Sequence, residues 1–298
     1  MQEETVKLQI ITPLFLKGAN PDGPPELRPP SFRGELRYWL RATIGAVIGD
    51  TNLENIRKLE AAVFGTPDSG SPIAVRISQK PLTASRQPIL PHHAGRTGDR
   101  QAFDPGQLFS LTINAPRPVS DEVWRVAGAT LRMMLTFGGV GLRSRRGYGT
   151  LAIVNVFPKT SDGWDTHIQT TIVEAISAVK SLAAKLSIPS LSVPPVGPGK
   201  FPCGNQTGMI RIVDPLRTQA TEAVTDFMSR TMNVPYLGGI KPRQASPLWV
   251  RPIEMNGQFG LLFMVLASNF TGSDYAQVKT FISKFAGYDI SVRGWNQP

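Results

Sequence analysis

The sequence predicts an α+β fold built from two ferredoxin-like units in tandem, each with the order βαββαβ. Three observations carry the prediction. Element signals in the first half run strand, helix, shorter helix, strand, strand, helix, strand, an order that yields an antiparallel sheet with helices on one face. The second half repeats that plan less clearly and without a residue-level repeat. The chain's 298 residues suffice for two domains of about 150 each. The expected units are 1–160 and 161–298, the second carrying a Pro-rich excursion over 187–208.

From Thr5 to Ile11 the chain alternates Val6, Leu8 and Ile10 with Lys7 and Gln9, the pattern of a half-buried strand. After a Pro-rich loop, Ser31 is placed to cap a helix running to Ile48. Phe32, Leu36, Trp39, Leu40, Thr43 and Val47 share its apolar arc, and Arg33, Arg37 and Arg41 recur at i, i+4, i+8 on a flank. Ile56, Leu59 and Val63 mark a second, shorter helix. Pro72 to Ser78 and Gln107 to Asn114 read as strands. Between them, over 84–106, lies a polar insertion containing Gly and Pro, expected to be a mobile loop that orders on a partner. Ser120, followed by Asp121 and Glu122, caps a helix whose Val126, Ala127, Thr130, Leu131 and Met134 face inward. A Gly-rich stretch then leads into a strand from Thr150 to Phe157. Later signals predict a helix from Asp165 to Leu186, a strand from Met209 to Val213 and a helix from Thr218 to Met232. Strands from Pro247 to Met255 and Phe259 to Ser268, a helix capped by Ser273 and ending at Phe285, and a strand from Tyr288 to Val292 complete the order.

Lys plus Arg number 32 against 22 Asp plus Glu, a formal charge of +10. A globular chain this basic points to a polyanionic partner. Arginine outnumbers lysine 21 to 11, which favours planar, bidentate phosphate contacts. The single cysteine, Cys203, rules out an intrachain disulfide framework and a Cys-rich zinc site. No apolar run is long enough to span a bilayer, and the acidic, alternating N-terminus reads as a strand rather than a signal peptide. A cytoplasmic protein is expected, with no cofactor, no metal and no small-molecule substrate.

The sharpest feature is the loop from Gly138 to Gly149. Five glycines, among them Gly139, Gly141, Gly147 and Gly149, and three arginines, Arg143, Arg145 and Arg146, stand in twelve residues together with Ser144 and Tyr148. Glycines let backbone N–H groups approach an anion closely while guanidinium groups grip phosphates. The stretch follows a helix and precedes a strand, so it is neither a P-loop nor a dinucleotide fingerprint. The plainer alternative is a tight crossover with solvated arginines. The stripe Arg33, Arg37, Arg41 repels itself modestly, which an anionic partner would relieve. Trp39 belongs to the apolar arc and reads as core; Tyr38 lies off it. In the insertion, His92 and His93 stand with Arg86, Arg96 and Arg100, either as a basic surface for RNA or a neighbouring protein, or as a general acid or base for RNA cleavage.

Together these motifs resemble a known family. The stretch from Thr12 to Ala19, the block from Leu27 to Arg41 (LRPPSFRGELRYWLR), Phe64-Gly65 and the run from Gly141 to Gly149 are similar to the RAMP superfamily of CRISPR systems. The block from Leu27 to Arg41, and the later stretch from Pro242 to Leu248, resemble its subunit-one type from type III-B (Cmr) effector complexes. The resemblance implies two RAMP domains that hold the 3′ region of a guide RNA (crRNA) and its paired target without catalysis, beside other RAMP subunits. It carries RNA contact to Arg33, Arg37, Arg41, the loop from Gly139 to Gly149, and Arg243. The rival expectation is a stand-alone RAMP endoribonuclease that processes precursor guide RNA with a histidine.

Overall fold

A computed structural model describes residues 2–18, 20, 23–91, 98–231, 234–240, 243–269 and 274–298. Strand β1 (Glu3–Ile10) forms where the alternation places it, burying Leu8 and Ile10. Helix α1 (Pro29–Ile48) starts two residues before Ser31, because Pro29 and Pro30 occupy its first turn. A proline there loses no hydrogen bond, and its fixed φ already suits the helix. The six arc residues are all buried. Helix α2 (Leu53–Phe64) begins at Asn52, whose side chain accepts the Asn55 N–H. Next come β2 (Ala74–Ser78), β3 (Ala84–Pro88), β4 (Asp99–Phe103), β5 (Leu108–Asn114) and α3 (Asp121–Phe137), capped by Ser120 as expected. Strand β6 (Leu151–Ile153) is shorter than the alternation suggests, because Asn155 turns left-handed at φ 61°.

The insertion departs from expectation. Instead of a loop throughout, 84–88 and 99–103 form an antiparallel ladder, β3 against β4. Phe103 exchanges two backbone hydrogen bonds with Leu14, and Ala102 is fully buried, so the ladder is fastened to the body. Polar side chains hide such a strand pair from a periodicity reading: Asp104 accepts from Thr83 and Ser85 instead of packing apolar surface.

Helix α4 (Ser161–Lys185) is capped by Thr160. It is followed by β7 (Met209–Arg217), α5 (Ala220–Arg230), the short ladder β8 (Gly239–Ile240) with β9 (Arg243–Gln244), and β10 (Leu248–Met255). Strand β11 (Gln258–Val265), α6 (Tyr275–Ile282) and β12 (Gly287–Ile290) close the chain. Asp274 caps α6 by accepting the Ala276 and Gln277 N–H groups; Ser273 lies outside the described residues.

The first sheet has the order β2-β5-β1-β6 and the second β10-β11-β7-β12, all pairs antiparallel. The Pro-rich excursion at 187–208 lies along α1: the Leu191 N–H donates to the Val47 carbonyl and the Gly204 N–H to that of Ala42.

Between the sheets lie α1 and α3, with α4 packed on both. One face of the second sheet (Trp249, Ile253, Leu262, Met264) shares the core that α1 and α3 build with the first sheet. Its other face (Val250, Leu261, Phe263, Val265) packs on α5 and α6. A sheet covered on both faces reads as near-continuous apolar runs, as β10 and β11 do. Helix α4, which the sequence assigns to the second unit, buries its face in this first core.

A core shared by both halves predicts one cooperative unfolding transition. Far-UV circular dichroism and tryptophan fluorescence should give coincident urea curves. Trp249→Ala removes a buried ring and the hydrogen bond from its Nε1 to the Tyr38 hydroxyl (3.0 Å), and should lower stability by about 3–5 kcal/mol with both probes still coincident.

Candidate nucleic-acid interface

The Gly-rich loop folds as a short 3-10 turn, Ser144–Arg146, flanked by left-handed residues Arg143 (φ 62°) and Gly147 (φ 90°). Thr12 locks it from β1's side: its hydroxyl donates to the Gly147 carbonyl (2.8 Å) and accepts the Thr150 N–H (3.0 Å). Glycine is required at two of its positions for different reasons. A Cβ on Gly149 (φ 63°) would run into the Val140 carbonyl, and one on Gly147 would lie 2.6 Å from Val224 of α5. The loop is therefore pressed between β1 and the second half of the chain.

Its arginines divide accordingly. Arg145 donates to the Ser246 carbonyl (2.6 Å), and its guanidinium lies 5.2 Å from the Tyr38 ring and 5.0 Å from that of Trp249. Arg146 donates to the Leu237 carbonyl (2.7 Å); burial lowers its pKa to about 10, with repulsion from Arg143 and Arg145 adding to the effect. Both are joined to the second half. The Arg143 side chain is exposed and makes no hydrogen bond or ion pair among the described residues, while its carbonyl accepts the Arg146 N–H (2.8 Å). Tyr148 is buried, donates to the Pro88 carbonyl (2.9 Å) and meets Phe15 edge-on at 5.1 Å, tying the loop to the insertion.

From the second half a further arginine reaches the loop. Arg251, in β10, donates to the Gly138 carbonyl (3.3 Å) and to the Leu151 carbonyl, holding both ends of the loop. Its guanidinium lies 5.0 Å from the Phe157 ring, and burial lowers its pKa to about 9. The sequence carried a signal for it: a lone cation in the apolar run from Leu248 to Met255.

The stripe on α1 also divides. Arg37 bonds Glu60 (2.7 Å) and the carbonyls of Phe64 (2.5 Å) and Gly65 (2.8 Å), fastening α1 to the end of α2. Arg41 is exposed, 3.6 Å from Glu60. Arg33 is exposed and makes no ion pair among the described residues. Trp39 is fully buried, as expected, whereas Tyr38 serves the joint with Trp249. Beside that joint, burial pushes the Glu35 carboxyl up to about 7 against the pull of Arg145.

The insertion, the Gly-rich loop and the segment after β1 meet around a cleft of about 250 Å³. Lys17, Arg86 and Arg100 line it with Leu142 of the loop, and Asp99 is the one carboxylate among its lining residues. All three are exposed; Lys17, which was not singled out by the sequence, follows β1, while Arg86 and Arg100 stand on the paired strands β3 and β4, Arg86 donating to the Asp99 carbonyl (3.1 Å). His92, His93 and Arg96 lie outside the described residues, as does the side chain of Arg243. His167 bonds the Thr136 hydroxyl (2.9 Å), and burial, with Arg251 adding repulsion, lowers its pKa to about 4.

Residues 7–152 match the RAMP superfamily. The chain is 25% identical over 286 residues to CRISPR system Cmr subunit Cmr1-1 of Pyrococcus furiosus, spanning 83% of this chain and 82% of that protein. It is 28% identical over 184 residues to Cmr1-2 of the same organism, spanning 51% and 96% respectively. The crystal structure of apo Cmr1 from Pyrococcus furiosus superposes with a TM-score of 0.68 at 20% identity, covering 99% of this chain and 100% of that one. A chain in the type III-B Cmr-beta cryo-EM structure bound to cognate target RNA superposes with a TM-score of 0.62 at 12% identity, covering 94% and 98%. These likenesses establish a shared fold.

Two outcomes follow for the loop and its joint. Arg145→Ala should cost about 2 kcal/mol, through one lost charged hydrogen bond and two ring contacts, whereas Arg143→Ala should stay within about 0.5 kcal/mol of the parent; urea unfolding separates them. Glu35 is protonated more readily folded than unfolded, where its value is 4.5. The stability it contributes is full below that pH and lost as pH rises through about 7. Glu35→Gln should remove that loss, read as the difference between parent and variant urea midpoints at pH 5 and pH 8.

Proposed function

Because residues 7–152 match the RAMP superfamily, we propose that the protein is a non-catalytic RNA-binding subunit of a type III-B CRISPR ribonucleoprotein. In this reading it holds the 3′ region of the guide RNA and the paired target, in the cytoplasm, beside other RAMP subunits. The two sheets are its tandem ferredoxin-like units, since each follows the strand order second, third, first, fourth of its own chain segment. What carries the RNA reading is the cleft beside the Gly-rich loop, lined by Lys17 from the segment after β1 and by Arg86 and Arg100 of the β3–β4 ladder. Cations held apart by a folded scaffold suit consecutive phosphates of a strand. Exposed Arg143, Arg33 and Arg41 extend the contact surface, while Arg37, Arg145 and Arg146 set the scaffold. Among the described residues no helix is long and apolar enough to cross a membrane, and no group of three or more His, Cys, Asp or Glu is placed to hold a metal.

The binding should be chiefly electrostatic. With four to six phosphates held, log K should fall against log salt with a slope of about −3 to −4. Replacing Arg86, Arg100 and Arg143 together by Ala should weaken binding of a single-stranded guide RNA about tenfold or more while the urea midpoint changes little. A flat salt response, or full binding by the triple variant, refutes the reading. Incubation with labelled repeat RNA in EDTA should leave the RNA shifted and intact; a discrete product lost in His92→Ala or His93→Ala would establish the nuclease instead.

A further inference from the structure

The Pro-rich excursion turns main-chain polar groups toward the body and aliphatic side chains toward solvent. Between Lys185 and Lys200 no residue is charged, against 18% of the whole chain. Ile188 anchors the stretch in the first core. The Leu191 N–H reaches Val47 of α1 (2.8 Å), Gln206 donates to the carbonyls of Pro194 and Pro195 (both 3.0 Å), and the Asn269 side-chain amide donates to that of Pro198 (3.3 Å). Held this way, Leu191 (40%), Val193 (43%) and Val196 (82%) stand exposed within six residues. Single exposed aliphatics are ordinary on a protein surface; three on one ordered segment form a patch. The same excursion supplies Phe201 and Pro202 to a recess of about 210 Å³ completed by Tyr38 and Arg41 of α1. A Cβ on Gly45 would lie 3.2 Å from the Phe201 ring and one on Gly49 3.4 Å from Leu191, so recess and patch follow each other along α1.

We propose that this patch and recess form the docking face for a neighbouring protein of apolar, uncharged surface, one of whose apolar side chains seats in the recess. Charge selects that occupant. An RNA strand needs cations for its phosphates, and the face offers one, Arg41, already 3.6 Å from Glu60. A second copy of this chain brings a further formal charge of +10 and is repelled. Interface cores are depleted in charge and enriched in aromatic residues and arginine, which is the composition here. The segment is ordered before the partner arrives, so docking costs it little conformational freedom. The identity of the neighbour, another RAMP subunit, rests on the proposed function; the face itself rests on exposure and charge.

The labelled full chain is titrated into the remaining RAMP subunits assembled on guide RNA, and separately into guide RNA alone. Val193→Asp with Val196→Asp changes only exposed side chains. It should weaken joining of the assembly about tenfold or more, while guide RNA alone is bound as by the parent. Val156→Asp with Val173→Asp adds the same charge at exposed valines outside the face and should match the parent in both titrations. Two results overturn the docking face and spare the RNA reading: the variant of the face joining the assembly with parent affinity, or a parent chain that binds guide RNA but not the assembly. A parent that fails in both titrations overturns both. Equal weakening in both titrations makes the surface an RNA contact, and a parent dimer in sedimentation equilibrium that the variant dissolves makes the occupant a second copy. Either outcome overturns the proposal, as does equal weakening by the control pair.

Discussion

One buried cation organises this molecule. Arg251 projects from the second sheet into the core and holds the carbonyls at which the Gly-rich loop leaves α3 and enters β6. Those carbonyls end two elements of the first half, where intrahelical or ladder partners run out. An apolar side chain could fill the space but could hold neither. The loop's own arginines return the arrangement: Arg145 and Arg146 reach carbonyls of the second half about 100 and 91 residues away in sequence. The two halves are thus laced together by guanidinium groups gripping backbone oxygen, with aromatic rings of Tyr38, Trp249, Phe227 and Phe157 against the planar faces.

That lacing bears on what the loop would present to RNA under the proposed function. A loop gripped from behind by three arginines is a rigid platform, and a rigid platform loses little conformational freedom when a strand settles on it. Only Arg143, displaced by its left-handed backbone, stands on the open side of the turn. The insertion supplies the opposite wall, and Tyr148 fixes the spacing between the two by bonding Pro88.

Local chemistry was legible in the sequence, and long-range electrostatics was not. The apolar arc of α1, the Ser120 cap and the core role of Trp39 follow from 3.6-residue periodicity and from side chains that bond their own helix ends. The start of α1 was misplaced because two prolines outrank a serine at its first turn. The partners of Arg37, Arg145 and Arg146 were missed for a different reason. Their partners are main-chain carbonyls, which carry no sequence signal, on segments brought near only by the tertiary fold. The ladder of β3 and β4 escaped notice because its register is held by Ser, Thr, Gln and Asp instead of alternating apolar residues.

The shared core also has a consequence for how the chain is made. Trp249, Ile253, Leu262 and Trp295 belong to a core whose first contributors are Leu8 and Ile10. A ribosome delivers these later residues after the first half, so α1 and α3 emerge with a face that has no lid. At about 5–20 residues per second, the stretch from Gly138 to Arg251 takes roughly 6–23 s to synthesise. Throughout that interval the nascent first half displays Trp39, Phe137 and its loop carbonyls uncovered. The first half is therefore most open to aggregation before the second sheet has been synthesised to cover it.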